Sequence, residues 1–470
     1  MAQSRTTPAI APRVQVIAPE ALGATAVGTL LARGIEARVG DEPHPDDVVA
    51  WALDAPPSGA AAVELAQICT RAASAGRPVC LLSPAPRGTG RAAIERAAAL
   101  SYLRAHGAAI AHDVDAWLEA VVLLVKFGVP TGPHAAVIAP PGSWLEAQAL
   151  AIAADAELLG TRPPVIGDGT TERTDVVLYD PALGPPPART PGLHVPVLPR
   201  AELATELRDT DALYTARAAL GAVAVLGRAA RRIEIGLGPA PRTASAELNI
   251  DHERLNRQLS RLPDGRVGDH ETKVLLASYE VPITRQAVAT TPSAAVKLAR
   301  RAGYPVEIKP WGDDVPTETA GCPVERGITS DALVRKAFAT VLTAANKLDQ
   351  EGAAVIVRET PPQGREVSVS LLELPALGWT VVLDARGAGQ IAAAPAPLRL
   401  EDAQALAAQL VASRAGDPEP DRTGLANLLR RASHLVVDLS PRMTRLELVR
   451  VVIGGRGART LVVDAFSELG

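Results

Sequence analysis

The sequence predicts an α/β protein in which two parallel-sheet domains are followed by a third domain of mixed α and β structure. Short apolar runs alternate with Ala- and Leu-rich helical segments along the first half of the 470 residues. Strands that alternate with helices over short connections are typical of parallel, doubly wound sheets. From Val267 onwards the order becomes helix, short strand, helix and buried strand. A chain of this length also needs more than one hydrophobic core.

The first domain is predicted over 13–127, after an arm at 1–12 that we expect to be disordered. Its strands are predicted near 14–18, 35–39, 78–82 and 108–111, and its helices near 20–33, 46–53, 60–75, 91–105 and 114–126. The alternation indicates a parallel sheet, because each pair of parallel strands needs a crossover connection that a helix can supply.

The second domain is predicted over 128–235. Its strands are expected near 133–139 and 175–179, and its helices near 143–158 and 211–230. Ser143 is the candidate N-cap of the first of these helices, because its hydroxyl can accept a hydrogen bond from a free backbone N–H. The segment 236–245 is rich in Gly, Pro, Ala and Thr, which is typical of a linker.

The third domain is predicted over 246–470 and opens with a helix and a buried strand. The helix at 270–279 has an apolar face, and Pro282 marks its end. The strand at 305–309 ends on Lys309, whose ammonium group can reach a phosphate as a point charge.

Composition and charge exclude several classes of function. The net charge is −4, opposite charges are interspersed and aromatic residues make up 3%, so we expect no nucleic-acid partner. The chain has no apolar run of about eighteen residues and no secretory signal, so we expect no membrane association. Cys69, Cys80 and Cys322 have no ligand-like spacing, which favours buried thiols and a cytoplasmic location.

Two motifs at the start of the third domain are similar to those of a known family. Glu271-Thr272-Lys273-Val274-Leu275-Leu276-Ala277-Ser278-Tyr279-Glu280-Val281-Pro282 is followed by Gly303-Tyr304-Pro305-Val306-Glu307-Ile308-Lys309. The two runs resemble the E-x-K-x-L-L-x-x-Y-x-(I/V)-P helix and the G-Y-P-V-x-x-K strand that open the ATP-grasp domain of NDP-forming acyl-CoA synthetases. This family includes relatives of acetate–CoA ligase and succinyl-CoA synthetase. The resemblance implies two flavodoxin-like, succinyl-CoA ligase-type domains followed by an α+β ATP-grasp domain.

The resemblance extends into the first half of the chain. Arg13–Val39 resembles the first strand–helix–strand of a ligase-type domain, and Gly76-Arg77-Pro78-Val79 resembles the entry to a later strand. No counterpart of the family's N-terminal CoA-binding domain precedes Arg13, so we expect CoA to be bound only through a partner. That partner would be a CoA-binding-domain subunit; a homo-oligomer is the alternative.

The family's reaction passes a phosphoryl group through a histidine in an S-H-T-G-A turn. Arg87-Gly88-Thr89-Gly90-Arg91 matches that turn, and Gly88 stands where the histidine is expected. Histidine suits the relay because its neutral ring nitrogen is nucleophilic, whereas glycine has no side chain to phosphorylate. The sequence therefore predicts no catalytic residue.

The resemblance implies that Lys309, Glu359 and Glu366 bind a nucleotide, which would be ATP or ADP. Lys309 matches the family's ATP-contacting lysine. Glu359 ends Val355–Glu359, which resembles the strand whose backbone meets adenine. Glu366 matches the G-x-E-(V/I) strand of the family at Gly364–Val367.

The family's phosphate loop is altered in this chain. Thr317-Glu318 replaces a His-Lys pair, and Cys322-Pro323 replaces a Gly-Gly pair. Glu318 places negative charge where phosphate is expected, and at about 4 Å and an effective dielectric of about 20 this reversal costs roughly 4 kcal/mol. The proline also removes a backbone N–H donor.

The chain matches some of the family's metal-binding positions and differs at another. The resemblance implies that Glu447 and Asp464 are the candidate ligands for magnesium. Val449 stands where the family has an asparagine, and a valine cannot bind Mg²⁺, which requires oxygen ligands.

Three functional hypotheses follow from these positions. The favoured one is a degenerate family member without the relay, which acts as a scaffold or regulatory subunit. The second is a subunit of an ATP-dependent ligase that forms a carbon–sulfur bond between an acid and CoA, with a partner that supplies CoA binding. The third is a module that senses a nucleotide or an acyl-CoA. The fold is compatible with all three.

Overall fold

A computed structural model describes residues 13–44, 46–88, 90–158, 165–166, 174–181, 192–199, 211–312, 323–346, 354–385, 391–410, 420–440, 442–455 and 458–470. It divides into two compact units: Met1–Arg87 with Glu95–Gly238, and Gly88–Ile94 with Pro239–Gly470. The predicted arm at 1–12 lies outside the described residues, as does most of the altered phosphate loop, including Thr317, Glu318 and Cys322.

The first unit contains two five-stranded parallel sheets. The first sheet has the order β2-β1-β3-β4-β5, which is the order of doubly wound flavodoxin-like folds. Its elements in chain order are β1 (Val14–Ile17), α1 (Glu20–Ala32), β2 (Ala37–Val39), β3 (Val48–Ala52), α2 (Gly59–Ser74), β4 (Cys80–Leu82), α3 (Arg91–Ala105), β5 (Ala109–Ala111) and α4 (Val114–Lys126). The prediction of a mixed α/β fold with parallel sheets is confirmed.

The predicted short helix near 46–53 is wrong, because this segment is strand β3. It pairs in parallel with β1 on one side and β4 on the other. Val48 and Val49 are β-branched and both are buried, which favours an extended central strand covered on both faces.

The second sheet of this unit has the order β10-β9-β8-β6-β7. Its elements are β6 (Ala135–Ile138), α5 (Trp144–Leu158), β7 (Val165–Ile166), β8 (Val176–Tyr179), β9 (Leu193–Leu198), β10 (Leu213–Tyr214) and α6 (Ala216–Ile235). The Ser143 hydroxyl accepts a hydrogen bond from the backbone N–H of Glu146 at 3.2 Å, as expected of an N-cap. Helices α4 and α6 pack together, and one hydrophobic core includes strands of both sheets.

The second unit contains two antiparallel sheets. After a 3-10 helix at Arg242–Glu247, its elements are α7 (His252–Leu259), β11 (Gly265–Val267), α8 (Asp269–Ser278), β12 (Gln286–Ala289), α9 (Pro292–Ala302), β13 (Val306–Pro310), β14 (Glu325–Ile328), α10 (Asp331–Asn346), β15 (Val355–Glu359), β16 (Gly364–Leu374), β17 (Gly378–Asp384), β18 (Ile391–Pro395), α11 (Leu400–Leu410), α12 (Arg422–Leu439), β19 (Met443–Gly454) and β20 (Leu461–Leu469). The larger sheet has the order β11-β20-β19-β16-β17-β18, and the smaller has the order β12-β15-β13-β14. The predicted opening helix and strand are α8 and β13, within one residue of their expected starts.

Two further predictions concern membrane-spanning helices and the cysteine thiols. In the part of the chain that the structure describes, no helix is long and apolar enough to cross a membrane. Cys69 and Cys80 are fully buried, and burial raises the pKa of each thiol to about 12. They are therefore inert core residues, as the sequence predicts, and Cys322 lies outside the described residues.

A buried ion pair lies inside the first unit. Arg33, at the end of α1, and Glu119, in α4, meet at 2.5 Å, and each side chain is 7% exposed. The backbone N–H of Tyr214 donates to the same carboxylate at 3.1 Å, and the Arg33 guanidinium lies over the Tyr214 ring. Burial raises the pKa of Glu119 and Arg33 opposes that shift, so the charged form of Glu119 depends on this arginine.

We expect Arg33→Met to lower the free energy of unfolding by about 3–5 kcal/mol, because it leaves a buried carboxylate without its cation. Arg231→Met is the matched control, since Arg231 pairs with Glu234 on the exposed surface of α6, where a pair contributes less than about 1 kcal/mol. Urea unfolding measures both changes. Equal losses of stability in the two variants would contradict the role assigned to Arg33.

Candidate functional site

Lys309 lies near the end of β13 with its side chain turned into the second unit. Its ammonium group is 2.6 Å from the carboxylate of Asp464 and 2.9 Å from that of Asp269. Burial alone would lower the pKa of Lys309, but the two carboxylates outweigh it and raise that pKa. The lysine is therefore held charged, between two acids that come from different elements.

Asp464 lies on β20 and receives a second cation. Arg358, on β15, is fully buried and donates to Asp464 Oδ1 at 2.8 Å. Arg358 also binds Glu307 of β13 at 2.7 Å. The other carboxylate oxygen, Asp464 Oδ2, is buried and has no hydrogen-bond partner among the described residues. Although burial raises the pKa of Asp464, Lys309 and Arg358 hold it below its usual range.

Asp269 and Lys273 complete the cluster one helical turn apart on α8. The ammonium group of Lys273 is 3.2 Å from Asp269 and 2.8 Å from the side-chain oxygen of Gln286, and it also donates to the backbone carbonyl of Val463. Lys273 is 1% exposed, and burial lowers its pKa to about 8 although Asp269 opposes that shift. Burial alone would raise the pKa of Asp269, but Lys273 and Lys309 outweigh burial, so this pKa lies below its usual value.

These residues form a neutral network that we call the six-charge cluster. It consists of Asp269, Lys273, Glu307, Lys309, Arg358 and Asp464. Three acids balance three bases, so the cluster carries no net charge when all six are ionised. Its ion pairs join β13 and β15 of the smaller sheet to β20 of the larger one and to α8. The cluster therefore fixes the two sheets of this unit against each other.

A small cavity lies beside the cluster. Its accessible volume is about 20 Å³, which is close to the space of one bound water molecule. Asp269, Lys309 and Asp464 line it together with Trp311 and Phe466. The Trp311 indole N–H donates to Glu271 at 3.0 Å. Lys309 therefore borders this cavity together with both of its carboxylate partners.

Comparison with known proteins identifies the second unit. The sequence profile of the ATP-grasp domain matches residues 260–468. Residues 260–468 are an ATP-grasp domain. The chain is 25% identical over 218 residues to the β subunit of ADP-forming acetate–CoA ligase II from Pyrococcus furiosus, which covers 43% of this chain and 92% of that subunit. It is 26% identical over 190 residues to the β subunit of acetate–CoA ligase I from the same organism, which covers 38% of this chain and 82% of that subunit.

A solved structure is also similar to part of the chain. It is the dinucleotide-forming acetyl-coenzyme A synthetase 1 of Ca. Korarchaeum cryptofilum, in complex with coenzyme A, Ca-AMPCP and HgCl+. It is 24% identical, with a TM-score of 0.42, and the match covers 47% of this chain and 99% of that chain. The predicted resemblance to NDP-forming acyl-CoA synthetases is confirmed by the ATP-grasp match and the two β subunits, and these matches cover less than half of this chain.

The ATP-grasp domain brings Lys309 and Asp464 together, but it gives the other predicted nucleotide residues different partners. Glu359, at the end of β15, accepts a hydrogen bond from the Arg285 guanidinium at 2.6 Å. Glu366, on β16, pairs with Arg450 at 2.7 Å. The role of both glutamates in nucleotide binding stays a prediction.

Glu447 and Asp464 lie on the adjacent strands β19 and β20, and each is bound to other side chains. Glu447 accepts from the Ser370 hydroxyl at 2.6 Å and pairs with Arg445 at 2.7 Å. Within the described residues, no group of three His, Cys, Asp or Glu side chains could hold a metal ion. Asp464 Oδ2 is one suitable oxygen, but cations already surround that carboxylate. The residues present therefore fit a magnesium ion poorly in this arrangement.

Gly88 has a backbone conformation that suits glycine. Its φ is +89°, in the left-handed region that residues with a side chain rarely adopt. A histidine at this position would be strained unless the turn changed its conformation. Thr89, the next residue of the predicted relay turn, lies outside the described residues.

Sequence reasoning missed four members of the six-charge cluster. The sequence motifs assign no role to Asp269, Lys273, Glu307 or Arg358. One signal could have pointed to Arg358: it follows three apolar residues, Val355-Ile356-Val357, in a strand that must be buried. A charge in such a strand requires a buried partner of opposite sign.

Lys273 gives a prediction about stability at alkaline pH. The folded protein releases the Lys273 proton at a pKa of about 8, whereas an unfolded lysine keeps it up to about pH 10.4. Between these values the unfolded state binds more protons, so stability rises with pH. Wild type should therefore gain about 1.4 kcal/mol per pH unit relative to Lys273→Met over that window.

Urea unfolding at pH 8, 9 and 10 measures this difference. Lys297→Met is the control, because Lys297 is an exposed lysine on α9. The stability of this variant should follow that of wild type at each pH. Parallel stability curves for wild type and Lys273→Met would show that Lys273 stays charged throughout, against the prediction.

Proposed function

We propose that the protein is a subunit of an acyl-CoA synthetase-like assembly that lacks the phosphohistidine relay and acts as a scaffold or regulatory subunit. The observation that carries the proposal is the 2.6 Å ion pair between Lys309 and Asp464. These are the predicted ATP-contacting lysine and one predicted metal ligand. Each therefore neutralises the charge of the other, which weakens the attraction of either group for a charged ligand.

The charge balance of the six-charge cluster supports a silent nucleotide site. A phosphate group at the Lys309 ammonium would compete with Asp269 and Asp464 for its positive charge, and displacing Asp464 would also remove a partner of Arg358. Separating buried partners costs several kcal/mol, because the remaining charges are left in a medium of low polarity. Glu318, whose structure lies outside the described residues, adds a negative charge to the sequence of the phosphate loop.

The missing relay histidine supports the same proposal. Gly88 occupies the expected carrier position, and its positive φ suits glycine. In this proposal the first unit consists of two flavodoxin-like, ligase-type domains at 13–127 and 128–235, joined through the linker 236–245 to the ATP-grasp domain at 246–470. The order of the first sheet supports the flavodoxin-like assignment.

A second candidate function is an active ligase subunit that joins an acid to CoA. It is favoured by the unpartnered Oδ2 atom of Asp464 and by the β subunits of acetate–CoA ligases among the relatives. Lys309, Glu359 and Glu366 would then bind ATP or ADP, and Asp464 and Glu447 would be the positions for magnesium. A partner subunit would supply CoA binding and the relay histidine. A module that only senses the nucleotide or an acyl-CoA would use the same site without turnover.

The proposed function predicts no stabilisation by nucleotide. A ligand at about 100 times its Kd stabilises a protein by roughly 2.7 kcal/mol, which a thermal melt detects easily. We expect Mg-ATP, Mg-ADP and CoA to leave the melting temperature unchanged. A rise with Mg-ATP that is lost in Lys309→Met would establish the nucleotide site instead. A rise that persists in this variant would place the nucleotide elsewhere on the chain.

Incubation with γ-labelled ATP separates the scaffold from the active ligase. We expect no acid-labile phosphoprotein, because no histidine stands at the relay position. Purification from the native host then tests the assembly, since a scaffold or regulatory subunit should co-purify with a CoA-binding-domain protein. Phosphoryl label on this chain would contradict the loss of the relay, and a chain that purifies alone would contradict the subunit role.

A further inference from the structure

The last residues of the first unit are tied to the end of helix α3. The backbone N–H of Gly238 donates to the carbonyl of Ala105 at 2.7 Å. Arg232, near the end of α6, donates to the same carbonyl at 2.9 Å through Nε and to the carbonyl of Gly238 through Nη2. Arg232 is buried, so its guanidinium depends on these carbonyls for hydrogen bonds. Three hydrogen bonds therefore fix the start of the segment 236–245.

A histidine lies directly against this contact. His106 follows Ala105 in the chain, and a β-carbon added to Gly238 would lie 3.6 Å from the Cε1 atom of His106. The Nδ1 atom of the ring is 3.0 Å from the hydroxyl of Thr70 on α2, and the ring centroid is 4.5 Å from that of Tyr102 on α3. The ring is thus held between two helices and Gly238. We call the linker latch the set of Ala105, His106, Arg232 and Gly238.

The second ring nitrogen of His106 is buried without a hydrogen bond. Its Nε2 atom has no partner in the part of the chain that the structure describes. In the neutral ring this atom can be a lone pair, because the Thr70 hydroxyl can accept the proton of Nδ1. Protonation places a donor on both nitrogens, and the Nε2 donor would then be buried without an acceptor.

The groups around the ring also oppose protonation. Arg232 binds the carbonyl of the residue before His106 and that of the glycine packed on the ring, so its positive charge lies close to the imidazole. The helices α2 and α3 contribute the neutral Thr70 and Tyr102, and no acid of the described residues pairs with His106. Burial and, to a smaller extent, the charge of Arg232 therefore lower the pKa of His106.

We propose that the linker latch is a pH-sensitive switch that releases residues 236–238 when His106 takes up a proton. The proton adds a charge close to that of Arg232 and leaves a buried N–H donor without an acceptor, whereas water solvates the ring in the released state. The released state therefore binds the proton more tightly than the latched state. Linkage then favours release as the pH falls below about 6.5, the ordinary pKa of histidine. This switch does not depend on the proposed function of the ATP-grasp domain.

Hydrogen exchange of the full chain between pH 5 and pH 7 tests the proposal, with mass spectrometry of peptides that cover 236–238. The amides of Gly236 and Gly238 are both hydrogen-bonded, so they exchange when the latch opens. After correction for the intrinsic pH dependence of exchange, the opening constant should rise by up to about tenfold per pH unit below pH 6.5, because opening takes up one proton.

Neutral variants of the histidine provide the decisive comparison. His106→Gln and His106→Asn keep a polar side chain that cannot be protonated, so their opening constants should not change with pH. His252→Gln is the matched control, because it removes an exposed histidine on α7, and it should keep the wild-type response. The amides of the buried strand β3 should stay protected throughout. An equal pH response in wild type and both His106 variants would overturn the proposal, as would a loss of protection in β3 that matches the loss at 236–238.

Discussion

The ion pair between Lys309 and Asp464 is the contact on which the arrangement of the ATP-grasp domain depends. It joins the smaller sheet, through β13, to the larger sheet, through β20. Burying one charge costs several kcal/mol, and attraction between buried charges offsets that cost only when each charge has partners at hydrogen-bond distance. Asp269, Arg358 and the other members of the six-charge cluster supply those partners, so the position of each element depends on the rest.

The same compensation sets the chemical surroundings of Lys309. A nucleotide site must keep cations available for phosphate, and here the buried cations are bound to carboxylates of the protein itself. In the six-charge cluster the charged side chains therefore hold elements of the second unit together.

Local patterns predicted most of the architecture correctly. The alternation of helices and strands gave the parallel sheets, and the residues from Glu271 to Lys309 gave the ATP-grasp domain with element starts within one residue. These features depend on neighbours a few positions apart, so the sequence displays them directly. Residues 46–53 were predicted wrongly, because a short apolar segment fits both a helix and a strand until its neighbours are known. Strand β3 is fixed by pairing with β1 and β4.

The sequence by itself determined the mixed α/β fold class and the ATP-grasp identity of the C-terminal domain, and it shows Gly88 where the resemblance places the relay histidine. It also singled out Lys309 and Asp464, although as two separate ligand positions. Only the tertiary structure decided that they bind each other, since 155 residues separate them in the chain. Charge compensation depends on distances in space, and a motif records only residue types and spacing. For that reason the sequence displayed Lys309 and Asp464 as two positions of a motif, whereas the structure showed that the two side chains form an ion pair.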